Sequence, residues 1–254
     1  MADLAYLEGF PCPRRNEGGD REVAQEGLVA ISDRLIFLDV ETTGLDHQRD
    51  RIIEIFMLSL SKDGEVAEYE TLINPQRPLP KEITEITGLT DADLKDAPVE
   101  AEVAPVVREF IGLGTPVAHN LQFDLRFLNA MFRRNNLLEL GGAGIDTLTI
   151  SRELFPRLAV YPGGGGSHRL SNLMYHFRLE GAYANAHRAR EDVMLLVEVF
   201  RHLQDYASGR RALVYPEALI YGCPTCGAAM HVVEEQQGKV LVCRNESCQV
   251  RLVV

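Results

Sequence analysis

The apolar run Leu35-Ile36-Phe37-Leu38 ends in Asp39-Val40-Glu41 and the turn formers Thr42-Thr43-Gly44, and no other segment restricts the fold as much. The run reads as a strand in an apolar interior. Side chains two apart in a strand share a face, so Asp39 and Glu41 converge where the strand leaves that interior. Like charges held so close need a cation, a shared proton or open water. A strand running out into a polar turn accounts equally well for an isolated Asp-x-Glu, so the rest of the chain has to decide.

The 254 residues give room for one full domain and a smaller one. Composition, at 46% apolar and 25% charged residues, is that of an ordinary globular protein. No uncharged stretch is long enough to span a bilayer, and Met1-Ala2-Asp3-Leu4 lacks the basic start and apolar core of a signal peptide. The expectation is therefore a cytoplasmic protein that engages no membrane. A net charge of −11 leaves no general footprint for a polyanion. A nucleic-acid substrate would have to be gripped locally, with metal ions supplying positive charge.

Residues 1–30 carry Pro11, Pro13, Gly18 and Gly19 among many charges and read as a flexible extension or a short docking arm. Strand patterns follow over Leu35–Val40, Ile52–Leu60 and Val66–Ile73, the last two joined by a Lys62-Asp63-Gly64 turn, which predicts an antiparallel start to the sheet. Pro75, Pro78 and Pro80 then precede a helical stretch. Val103, Val106, Val107 and Phe110 predict a helix over Glu100–Ile111, and Pro116-Val117-Ala118 a short buried strand leading to His119-Asn120. Leu121, Leu125, Leu128 and Phe132 recur at helical spacing, which puts Asp124 in a first turn, where a carboxylate also complements the helix dipole. Leu170, Leu173 and Phe177 mark another helix, and a long one runs from about His187 to Tyr206. Residues five apart lie about 140° apart around a helix, so His187 and Asp192 share a site only if His187 sits at or before the helix entrance.

Taken in order, Asp39-x-Glu41, His119-Asn120-x-x-Phe123-Asp124 and His187-x4-Asp192 resemble the motifs of the DEDDh exonucleases. This superfamily includes the bacterial DNA polymerase III epsilon proofreading subunit and ribonuclease T. Phe37–Gly44, Ile86-Thr87-Gly88-Leu89-Thr90, Asp146-Thr147-Leu148 and His168–Leu173 add matches to the epsilon-like branch, and the likeness covers about residues 34–205. It implies an α/β, ribonuclease H-like fold, a mixed five-stranded sheet flanked by helices, over residues 31–206. It also implies that Asp39, Glu41, Asp124 and Asp192 bind two Mg²⁺ or Mn²⁺ ions, with Asp39 bridging them, Glu41 and Asp192 completing the first site and Asp124 acting partly through water. His187 would be the general base, since an imidazole titrating near neutrality can take a proton from an activated water. A sister branch has tyrosine four residues before the last aspartate; here that residue is Arg188, and the histidine at minus five gives the histidine subtype. Thr42, Thr43, Gly44, Asn120 and Phe123 match positions near the terminal nucleotide, although a plain turn and simple packing explain them too. Asp146 is expected to cap the helix after it, and His168 to have no catalytic part. Gly163–Gly166 departs from the family pattern and predicts a flexible loop.

Cysteine spacing marks a second domain, residues 207–254. Cys223-x2-Cys226, sixteen intervening residues and Cys243-x4-Cys248 fit a four-thiolate structural Zn²⁺ site, with Val232-Val233 and Val240-Leu241-Val242 as strands of a zinc ribbon. Two disulfides are the alternative, and Cys12 is left as a free thiol. The ribbon looks like those appended to DNA ligases and topoisomerases, yet charge beyond Arg210 is nearly balanced, so nucleic acid and protein both remain as its partner. Three functions stay open: a 3′→5′ exonuclease on single-stranded or frayed DNA ends, free-standing or paired with a DNA polymerase; the same chemistry on RNA ends; or a non-catalytic module binding nucleic acid or a polymerase.

Overall fold

In the computed structural model the run at Leu35 is the middle strand of a sheet. The structure describes residues 33–141, 144–183, 187–207, 230–235, 238–243, 247 and 251–253. The expected extension over 1–30 and the ligands Cys223, Cys226 and Cys248 lie outside these residues. The chain divides into two compact units, one holding residues 33–147 and 187–197, the other 148–183, 198–207 and the C-terminal strands.

The first unit begins with β1 (Arg34–Thr42), β2 (Ile52–Ser61) and β3 (Val66–Leu72), antiparallel neighbours as predicted. Gly64, at φ 90°, supplies the turn conformation between β2 and β3 that a side chain would disfavour. Two short helices, α1 (Lys81–Thr87) and α2 (Asp91–Leu94), lead to α3 (Glu100–Ile111), which matches its predicted span. Then come β4 (Thr115–Ala118), α4 (Leu121–Arg134) and β5 (Ile145–Asp146), with β4 and β5 adding in parallel. The order β3-β2-β1-β4-β5 is the mixed five-stranded sheet of a ribonuclease H-like fold.

Alternation along β1 divides its side chains between two faces. Ile36, Leu38 and Val40 join a core with Val103, Val107 and Ile111 of α3 and Leu121, Leu125, Leu128 and Phe132 of α4. That burial leaves the other face to Asp39 and Glu41. A register shift between Glu41 and Thr42 ends regular pairing at this point. Such an irregularity re-aims the chain where a strand leaves its sheet.

The second unit contains most of α5 (Thr147–Leu154), then α6 (Leu170–His176) and the later turns of α7 (Ala189–Ala207). The glycine loop differs from its expected flexibility. Buried Asn172 donates from Nδ2 to the carbonyls of Ala159 (2.8 Å) and Ser167 (2.6 Å) and accepts from the Tyr161 N–H (2.7 Å), while Ser171 Oγ donates to Gly164 O. A side chain at Gly164 would collide with Asn172, and Gly163 and Gly165 have φ of 84° and 70°. Those glycines therefore let the chain wrap closely around an asparagine. The strands β6 (Met230–Glu235), β7 (Gly238–Cys243) and β8 (Arg251–Val253) form an antiparallel sheet in that order, and the two expected valine-rich segments lie in β6 and β7. Among the described residues, no helix is long and apolar enough to cross a membrane.

Candidate active site

Three elements of the first unit deliver the acidic residues. β1 carries Asp39 and Glu41, the first turn of α4 carries Asp124, and the first turn of α7 carries Asp192. Carboxylate oxygens of Asp39, Glu41 and Asp192 lie within 4.8 Å of one another. Asp124 is 3% exposed.

This crowding shows in their acidity. Burial first, then Asp124, Glu41, Asp192 and Glu54, hold the Asp39 carboxyl well above the usual carboxylate range. Burial and the charges of Asp192, Glu54 and Asp124 push Glu41 up to about 8. Burial raises Asp124 to about 8, against a backbone hydrogen bond at Val40, and Asp192 to about 6, against the favourable charge of His187. Carboxylates so placed resist ionising together, and a multivalent cation removes that penalty. All-oxygen donors suit hard divalent ions, and the residues present fit such a metal centre.

His187 stands two residues ahead of Ala189, where α7 begins, and is exposed with φ 46°. The i, i+5 spacing is thus reconciled by a left-handed residue outside the helix. Asn120, the N-cap of α4, is also left-handed (φ 76°), and its N–H donates to Asp146 Oδ1 at 3.0 Å. Asp146, expected to cap the helix after it, accepts this bond from the start of α4. His119 Nδ1 lies 3.0 Å from Thr147 Oγ1, which donates to Ala118 O. Phe123 is half-buried, its ring 4.9 Å from that of Phe127.

Thr42 and Thr43 are buried, and their hydroxyls serve the turn. Thr42 Oγ1 donates to Gly44 O; Thr43 Oγ1 donates to Asp50 and accepts from the Arg51 N–H and from Arg77. Gly44 is packed so closely on Asp50 that a β-carbon would strike the carboxylate.

Two participants escaped the sequence reading. Glu54 pairs in register with Glu41, is 2% exposed and meets the guanidinium of Arg188 at 2.6 Å. A lone carboxylate inside Ile52–Leu58 was the signal for it; its partner, far along the chain, left none.

A mixed sheet in this order, with Asp39, Glu41 and Asp192 gathered where its middle strand ends and the charge of Asp124 acting on Asp39, defines a nuclease of ribonuclease H-like fold. The profile of the exonuclease (RNase T) family matches residues 36–200, and the chain belongs to that family, whose members use divalent metals. It is 35% identical over 175 residues to the DNA polymerase III subunit epsilon of Treponema pallidum, covering 68% of this chain and 78% of the relative. It is 33% identical over 178 residues to the PolC-type DNA polymerase III of Caldanaerobacter subterraneus subsp. tengcongensis, covering 70% of this chain but spanning only 12% of that polymerase. Exonuclease I of E. coli in complex with a dT13 oligonucleotide shares the fold, with a TM-score of 0.58 at 20% identity over 72% of this chain and 43% of that one.

Proposed function

We propose that this chain is a two-metal 3′→5′ exonuclease that hydrolyses DNA from single-stranded or frayed 3′ ends and releases 5′-mononucleotides. The convergence of Asp39, Glu41 and Asp192 within 4.8 Å carries the reading. Its relation to epsilon and PolC-type proteins favours DNA as the substrate and a DNA polymerase as a partner, within a cytoplasmic setting.

Asp39, Glu41, Asp124 and Asp192 would hold two Mg²⁺ or Mn²⁺ ions. When bound, these ions supply Lewis-acid activation of water and charge stabilisation at the departing 3′ oxygen. His187 accepts the proton of the attacking water, and its exposed position lets it pass that proton to solvent. Asn120 and Phe123, at the opening of α4, flank the terminal nucleotide. With the Thr42 and Thr43 hydroxyls engaged, the turn offers its backbone and Gly44 to that nucleotide. Cys223, Cys226, Cys243 and Cys248 would hold one structural Zn²⁺ in a ribbon over 207–254, following an exonuclease domain over 31–206. Metal analysis of the full chain should return about one zinc per chain.

The test is degradation of 3′-labelled single-stranded DNA and RNA of matched sequence in Mg²⁺, Mn²⁺ or EDTA. Wild type should release mononucleotides from DNA with either metal and none in EDTA. His187→Ala should lose about 10²-fold or more in kcat, and Asp39→Ala should be inactive. Cleavage in EDTA, or full activity in Asp39→Ala, would sink the mechanism; faster cleavage of RNA would reverse the substrate assignment.

A further inference from the structure

At the start of α7, Arg188, next to the proposed base, ties the chain to the sheet. Glu54 lies between Ile53 and Ile55, both fully buried, and is itself buried, a place where a carboxylate is costly without a hydrogen-bonding partner. Arg188 supplies one in fork geometry: Nε lies 3.0 Å from both carboxylate oxygens, and Nη2 lies 2.6 Å from Oε1. The Ala189 N–H adds a bond to Oε2 at 3.2 Å, so the residue just before α7 and the first residue of α7 converge on one strand carboxylate. One turn of α7 is pinned again by Arg190, which reaches Glu68 (2.7 Å) and Glu70 (2.8 Å) and lies 4.7 Å over the Phe56 ring.

Against this anchored turn stands His187, with a left-handed backbone that a residue bearing a β-carbon holds only under constraint. The anchor also has a particular position, because Glu54 is the register partner of Glu41. The strand pair that presents a metal-binding carboxylate therefore also fixes the residue beside the base.

We propose that the Glu54–Arg188 pair is a positioning device that sets His187 relative to the carboxylates of β1. The proposal rests on the exonuclease reading above. The role assigned to the pair runs through His187. A planar fork bonded through two nitrogens fixes orientation, which the point charge of lysine does not. The loss on weakening the pair should therefore fall on the chemical step.

The experiment compares wild type, Arg188→Lys, Glu54→Gln, His187→Ala and each double variant with His187→Ala, on single-stranded DNA with Mn²⁺. Alongside turnover, Mn²⁺ binding is measured by calorimetric titration and folding by thermal melts. Arg188→Lys should lower kcat about tenfold and leave KM and Mn²⁺ affinity within about twofold. In the His187→Ala background, with no base left to position, it should cost nothing further. Glu54→Gln keeps the side-chain shape and should repeat the pattern if Arg188→Lys does not fold. Losses that multiply in the double variants, unchanged kcat, or Mn²⁺ affinity falling in step with kcat would each overturn the proposal. Asp39→Ala separates the two readings: if it is inactive and the non-additivity is absent, positioning alone fails; if it is fully active, the exonuclease reading fails.

Discussion

His176 makes the stability of the second unit depend on pH. Its Nδ1 lies 3.2 Å from the Tyr161 hydroxyl, its Nε2 is buried without a partner among the described residues, and the rings of Phe155 and Phe177 pack within 4.9 Å. Burial first, then the neighbouring His202, lowers its pKa to about 4. The unfolded chain takes up a proton on this ring as pH falls through about 6.5, whereas the folded chain resists until about 4. The contribution is thus fully present above pH 6.5 and is lost between 6.5 and 4, by roughly 3 kcal/mol at the lower end. Thermal melts across that range should show a slope that His176→Phe flattens; parallel slopes would refute the assignment. In the same unit, Asn172→Ala strands two carbonyls and an N–H in a fully buried place. The expected loss is about 3 kcal/mol in urea unfolding, and Gly164→Ala should be similarly harmful because its new methyl meets Asn172.

Among the elements, β4 is the one through which a distant packing defect would reach the site. A β-carbon on Gly114 would lie 2.6 Å from Ile36 Cγ1 and 3.0 Å from Ile111 O, between β1 and the end of α3. Gly114→Ala is expected to cost about 1–3 kcal/mol and to lower kcat, because β4 leads directly into Asn120 and Asp124. Equilibrium unfolding with steady-state kinetics checks this, and a variant as stable and active as wild type would contradict it. Elements with enough turns or alternations to repeat their period were readable in the sequence: β1 to β3 within two residues, α3 at both ends, α4 and α7 closely. Helices α1 and α2 are too short to establish a period, and α5 was expected only as the helix after Asp146. The carboxylates were readable because each stands at a strand end or helix start. The ties around them were not: Arg188 and Glu54 stand 134 residues apart, and Arg77 lies 34 from Thr43. Local spacing carries no trace of such pairs. Likewise Gly163–Gly166 reads as slack chain until Asn172 is seen inside it.

At the scale of the whole molecule, a net charge of −11 opposes any polyanion. Oligonucleotide affinity should be at least about tenfold weaker in EDTA than in Ca²⁺, which can neutralise the carboxylates. Fluorescence anisotropy with a 3′-blocked strand measures this, and equal affinity in both buffers would show that the strand is held elsewhere. Order of synthesis matters as well, since β1 leaves the ribosome long before α7. A nascent chain that has completed α4 owns three acidic side chains and neither the histidine nor the last aspartate. On the proposed mechanism, cutting ability therefore waits until the segment from His187 to Asp192 has been made and has docked beside β1. Until then, on the same mechanism, an unfinished chain leaves any nearby 3′ end uncut.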